Sequence, residues 1–156
     1  AKDIVSHFKL KPGDRVLDIG CAKGFLVKDL LSLGIDAYGL DISEYALENC
    51  EPEVTGRLHL GSAHKLPFPN KSFSAVISIN TIHNLEKDEC FLALKEIERL
   101  SPGKGFVQVD SYLDKEQKKV FDNWVLTAKF HDYPKNWIKL FKSAGYTGDY
   151  YWTIIV

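Results

Sequence analysis

Apolar residues recur along this chain in two alternating rhythms. Short runs such as Val16-Leu17-Asp18-Ile19 and Ala75-Val-Ile-Ser-Ile79 are apolar at nearly every position, as a strand buried on both faces requires. Between them lie stretches in which apolar residues return every three or four positions, as at Phe91, Leu94, Ile97 and Leu100, the spacing of one helix face. Strand and helix in alternation predict an α/β fold of three layers, a mostly parallel sheet between helices, in a single domain over 1–156.

In chain order the pattern predicts a short opening helix through Ile4, Val5 and Phe8, a strand over 15–19, a helix over 24–33 and a strand over 36–40 that ends at Asp41. A helix over 44–50 capped by Ser43, strands over 57–60 and 75–79, a helix over 87–100 and a strand over 105–110 follow. Beyond these the pattern predicts a helix over 114–124, an edge strand or more helix over 125–131, a helix over 137–144 closed by Gly145, and a terminal strand over 150–156.

The first strand runs directly into Gly20-Cys21-Ala22-Lys23-Gly24 and then into a helix. A turn of small residues there lets a polar ligand approach the backbone at a helix N-terminus. Asp18 adds a carboxylate beside the turn, which disfavours a phosphate and suits a ligand carrying positive charge. Asp41, at the end of the second strand, is placed to accept hydrogen bonds from the two hydroxyls of a ribose. A dinucleotide fingerprint G-x-G-x-x-G needs its third glycine where this chain has Phe25, and no G-K-[ST] follows as a phosphate-binding P-loop requires.

The pattern Asp18-x-Gly20-x-Ala22-x-Gly24 instead resembles motif I (D-x-G-x-G-x-G) of the class I S-adenosylmethionine (SAM)-dependent methyltransferases. The segment from Gly61 to Val76 is similar to the G-D-A-x-x-L-P-F-x-D-x-S-F-D-x-V stretch of the small-molecule, type 11-like subgroup. Glu96-Ile-x-Arg99-Leu-x-Pro-Gly-Lys-Gly105 and Phe141-Lys-x-Ala-Gly-Tyr146 resemble its approaches to later elements. The resemblance implies a Rossmann-like, seven-stranded class I sheet shortened at its edge, mostly parallel with an antiparallel edge strand. It implies that the turn, with Gly20, Cys21, Ala22 and Gly24, cradles the methionine moiety of SAM while Asp18 orients it. Asp41 then holds the ribose, Ile42 packs on the adenine, and Ala63 and His64 line the adenine edge. Ser62 stands where the family carries an acid for the adenine amine. Asn80 touches the methionine end and faces the acceptor. Ala22 in place of the middle glycine is tolerable, at modest cost, if its φ stays negative.

Implied, then, is in-line transfer of the sulfonium methyl to an O, N or C nucleophile of a small molecule, leaving S-adenosylhomocysteine. His83, with a pKa near neutrality, is a candidate general base. Tyr112, Trp124, Phe130, Tyr133 and Trp137 form an aromatic stretch in the connection that covers the acceptor in this family. Trp124 and Trp137 are expected in a second small core. Two other readings stay open: a SAM-binding module without catalysis, and a nicotinamide-dependent oxidoreductase.

Composition narrows the partners. A net charge of −1 gives no bulk attraction to nucleic acid, and Lys115, Lys118 and Lys119 read as a solvated helix face. No apolar run has the length of a membrane span. Three scattered cysteines, Cys21, Cys50 and Cys90, have no metal-type spacing and suggest a reducing, cytoplasmic setting. The chain contains no methionine, so a piece of a longer protein is expected, with residues preceding Ala1. The oligomeric state and the acceptor's identity are not written in the pattern.

Overall fold

The alternation resolves into one sheet whose strands all point the same way. The structure, a computed structural model, describes residues 1–154. Its elements are α1 (Lys2–Phe8), β1 (Arg15–Ile19), α2 (Phe25–Ser32), β2 (Asp36–Asp41), α3 (Glu44–Glu48), β3 (Leu58–Leu60) and β4 (Ala75–Ile79). After these come α4 (Lys87–Leu100), β5 (Gly105–Ser111), α5 (Lys115–Trp124), α6 (Pro134–Ala144) and β6 (Asp149–Ile154). The strand order is β3-β2-β1-β4-β5-β6 and every pairing is parallel. The order reverses between β1 and β4, the place where an open α/β sheet leaves a crevice at its carboxyl edge.

Both sheet faces are covered, which explains the apolar runs. Leu17 and Ile19 of β1, Val76 of β4 and Val107 and Val109 of β5 pack with Leu94 and Ile97 of α4 and with Trp137 and Phe141 of α6. Val16, Ala37, Ala75 and Ile77 share the second core with Phe8 of α1 and Val27 and Leu30 of α2.

The expected antiparallel edge strand is corrected here. β6 lies directly on β5, parallel, from Phe106↔Asp149 to Ser111↔Ile154. The reason is the connection: α6 carries the chain back across the sheet, so the next strand must run in the same sense. The sheet has six strands among the described residues, and positions 155–156 of the expected terminal strand lie outside them. Residues 125–131 are neither strand nor helix.

Those residues belong to an excursion that leaves the carboxyl edge after Ser111 and returns to it. The Ser111 hydroxyl donates to the Asp132 carbonyl at 2.8 Å, and the Lys129 and Phe130 N–H groups donate to the His83 carbonyl at 2.9 and 3.1 Å. Tyr112 meets Tyr133 edge to face, with ring centroids 4.7 Å apart. Trp137 is fully buried, but in the main core with α4 and β5 rather than in a second small one, whereas Trp124 at the end of α5 is 59% exposed and belongs to no core. Among the described residues no helix is long and apolar enough to cross a membrane.

Candidate functional site

The turn after β1 is bound to the end of β2 by its own backbone. The Gly20 and Cys21 N–H groups both donate to the Leu40 carbonyl, at 2.7 and 3.2 Å, and the Gly24 N–H donates to the Cys21 carbonyl at 2.8 Å. The Ala22 N–H donates to Asp41 Oδ2 at 2.9 Å, while Asp41 Oδ1 accepts from the Ser43 N–H at 2.9 Å. One carboxylate thus fastens the β1 turn to the entry of α3, where Ser43 also caps the helix through Ala46. Each of its oxygens keeps a further lone pair.

Ala22 does not keep a negative φ. Its φ is +47°, in the left-handed region, while its N–H donates to Asp41. A side chain there costs about 1–2 kcal/mol. Ala22→Gly is therefore expected to raise stability by about 1 kcal/mol, net of the greater freedom glycine gives the unfolded chain. Urea unfolding of the two proteins measures it, and a destabilised glycine variant would contradict the strain.

A cleft of about 250 Å³ opens at the switch point between β1 and β4. Of the residues singled out in the sequence, Gly20, Asp41, Ile42, Ala63 and Asn80 line it. Thr81, Asn84 and Leu85, in and around the 3-10 turn Ile82–Asn84, line it too and were not anticipated. The signal that could have found them is position alone, since they directly follow β4. Thr81 also explains Gly20. With φ +79°, Gly20 turns its bare Cα toward Thr81, and a Cβ there would come within 2.8 Å of the Thr81 Cβ and closer still to its Oγ1.

Asp18, Cys21, Ala22 and Gly24 are not among the residues that line the cleft. Asp18 is buried, and burial, reinforced by the nearby Asp41 charge, pushes its carboxyl up to about 7. Burial, with Asp18 and Asp41 adding to it, pushes the Cys21 thiol up to about 12, which leaves it no thiolate character near neutrality. Lys23 rests over the Tyr45 ring, 5.8 Å from its centroid. Ser62 Oγ and His64 Nδ1 are 2.7 Å apart, so these two engage each other, and His64 lies 3.9 Å from Glu89 of α4.

His83 is placed differently from the general base the sequence suggested. It is 3% exposed and does not line the cleft. Its Nδ1 accepts from the Asp110 N–H at 3.2 Å, which commits the basic lone pair to backbone and leaves the proton on Nε2. Burial holds its pKa below the usual value; Asp110 works against that and His131 with it. Among the described residues no cluster of three or more His, Cys, Asp or Glu is arranged to hold a metal ion.

Comparison with known proteins matches this geometry to a family. The family described as "Methyltransferase domain" matches residues 17–109, which run from β1 through most of β5. The chain is 37% identical over 98 residues to "Probable tRNA methyltransferase 9B" of Mus musculus, covering 60% of this chain and 21% of that protein. It is 31% identical over 121 residues to demethylmenaquinone methyltransferase of Symbiobacterium thermophilum, covering 70% of this chain and 47% of that one. The chain thus spans less than half the length of these relatives. In fold it resembles the methyltransferase bound to the Haloferax volcanii Trm112 activator, with a TM-score of 0.72 at 21% identity over 92% of this chain and 66% of that one. A strand-end carboxylate, a turn of small residues and a crevice at the sheet's switch point agree with that match, and the chain belongs to the class I SAM-dependent methyltransferase family.

Proposed function

We propose that the chain binds SAM in the switch-point cleft and transfers its methyl group to a small-molecule acceptor bearing an O, N or C nucleophile. The observation that carries this reading is Asp41 at the wall of the switch-point cleft, its two oxygens each keeping a lone pair, with buried Asp18 at the end of the neighbouring strand pushed up to about 7 by burial first and by the Asp41 charge second. A sulfonium with an attached ammonium supplies positive charge, whereas a pyrophosphate in the same place adds repulsion. Phe25, more than half exposed as the first residue of α2, gives no close glycine packing under a dinucleotide, which counts against the oxidoreductase reading.

In this reading the Asp41 oxygens accept the ribose hydroxyls with their remaining lone pairs. Ile42, 71% exposed, offers an apolar face to the adenine, while Ala63 and the Ser62–His64 pair border its edge. Asn80, at the end of β4 with φ +51°, lies where the methionine end and the acceptor meet. When bound, SAM brings an already activated methyl group, so the protein's part is to align the acceptor and exclude water. His83, with its Nδ1 committed to Asp110, positions the turn after β4 rather than removing a proton. That same observation is what favours the second reading, a SAM-binding module without catalysis.

The relatives' names point both to tRNA and to a demethylated quinone. The small-molecule reading is supported by the chain's net charge of −1, which gives no bulk attraction to a polyanion.

Calorimetric titration with SAM and with NADH tests the cofactor: SAM binds and NADH does not. Labelled SAM with pools of small-molecule acceptors and with tRNA then tests the acceptor. Label entering tRNA alone overturns the small-molecule reading, and label entering neither favours the binding module. Asp41→Ala is expected to weaken SAM by about 1–3 kcal/mol, because the ribose loses charge-assisted hydrogen bonds. An unchanged affinity places the ribose elsewhere.

A further inference from the structure

The loop after Ala63 has a weakness in its own sequence: Leu66-Pro67-Phe68-Pro69-Asn70 contains two prolines and so lacks two of the N–H donors that normally tie a turn together. The donors come from α4. Arg99 Nη1 donates to the Phe68 carbonyl at 2.8 Å and to Asn70 Oδ1 at 2.9 Å, and Nη2 donates to the Leu66 carbonyl at 3.1 Å. The same guanidinium is held in plane by Glu96, with Nε to Oε1 and Nη2 to Oε2 both at 2.8 Å. Glu96 Oε2 accepts the Leu66 N–H as well, at 2.8 Å. The backbone joins in, since the Lys71 N–H donates to the Arg99 carbonyl at 2.9 Å and the Phe73 N–H to the Leu100 carbonyl at 3.2 Å.

What this grip holds still is the cleft wall. Leu66 and Ala63 are both buried in the core that contains Leu40, and Ala63 and Leu40 line the cleft. Phe68 packs edge to face on His59 of β3, the strand just before the wall, with centroids 5.1 Å apart. Leu66 thus shares its core with two residues of the wall, three positions after one of them in the chain. Neither Glu96 nor Arg99 lines the cleft.

We infer that the Glu96–Arg99 pair is a positioning element for the nucleoside end of the cofactor, acting through the 66–70 loop. The inference rests on the proposed SAM site. Its specific requirement is the planar fork: five donors in fixed directions reach three acceptors on the loop and one carboxylate at once, and a lysine cannot.

The test uses the whole chain with Arg99→Lys, Arg99→Ala and Glu96→Gln, at a temperature where circular dichroism shows each variant folded. Calorimetry is run with SAM, with adenosine and with L-methionine. SAM and adenosine are expected to lose about tenfold or more in affinity for Arg99→Lys, the scale of one charge-assisted hydrogen bond, while methionine binding is unchanged. A purely structural role would leave the folded variant's affinities alone or weaken all three together. Arg99→Lys within twofold of the original protein for SAM and adenosine, or an equal loss for methionine, overturns the inference. If the unaltered chain binds neither SAM nor adenosine, the cofactor reading fails instead. Hydrogen exchange at the Leu66 amide, faster in Arg99→Lys, then still decides whether the pair holds the loop; unchanged exchange overturns it.

Discussion

Asp18→Asn is expected to remove a fall in stability that the unaltered protein shows between about pH 4 and pH 8. The Asp18 carboxyl is raised from 3.8 to about 7 in the fold, so between those values the folded chain keeps a proton that the unfolded chain has lost. Stability therefore falls as pH rises through this window, by a total of about 4 kcal/mol at 1.36 kcal/mol per unit. His83 works in the opposite direction. Its pKa is lowered by burial, so it adds stability as pH rises toward 6.5, but it is common to both proteins and cancels in their difference. Urea unfolding at a series of pH values measures that difference, and parallel curves for the two proteins would rule out a buried, proton-holding Asp18. The same group gives binding a pH dependence. A cationic ligand favours the ionised carboxyl, so SAM affinity is expected to rise as pH passes through about 7, and to stay level in Asp18→Asn.

Gly20→Ala carries the other large effect. A left-handed φ of +79° costs a side chain about 1–2 kcal/mol, and overlap with Thr81 adds about 1–3 kcal/mol of overpacking. The loss falls on the floor of the cleft, so stability and SAM binding decline together. Adding Thr81→Gly relieves the overlap and leaves the backbone strain, so the double variant recovers only part of the loss. A double-mutant cycle by chemical denaturation reads the coupling, and strictly additive effects would mean that Gly20 and Thr81 do not press on each other.

Elements with a strong local pattern were legible from the chain alone. β1, β4 and α4 have the expected bounds, since continuous apolar runs and a sustained helical period leave few alternatives. The carboxylate at the tip of β2 was legible for the same reason, as it closes a readable strand. What composition could not show was the sign of φ at Ala22, because the turn that contains it is tied to Leu40 and Asp41, about 19 residues away. Nor did it show that Trp124 faces solvent while Trp137 is buried, since both lie in helices whose neighbours depend on how the excursion folds back. The surroundings of His83 were hidden for a related reason: a pKa near neutrality is a property of the residue, whereas burial against Asp110 is a property of β5. The Glu96–Arg99 grip joins positions about 30 residues apart, and only the motif that contains the pair was visible beforehand.

The return of the excursion to its own starting point has an evolutionary consequence. With Ser111 closed on Asp132 and the 129–130 amides closed on His83, the two ends of this stretch are stapled together whatever lies between them. A segment anchored in that way behaves as an exchangeable cassette. It can be lengthened, shortened or rewritten while strand register and the switch-point cleft are inherited intact.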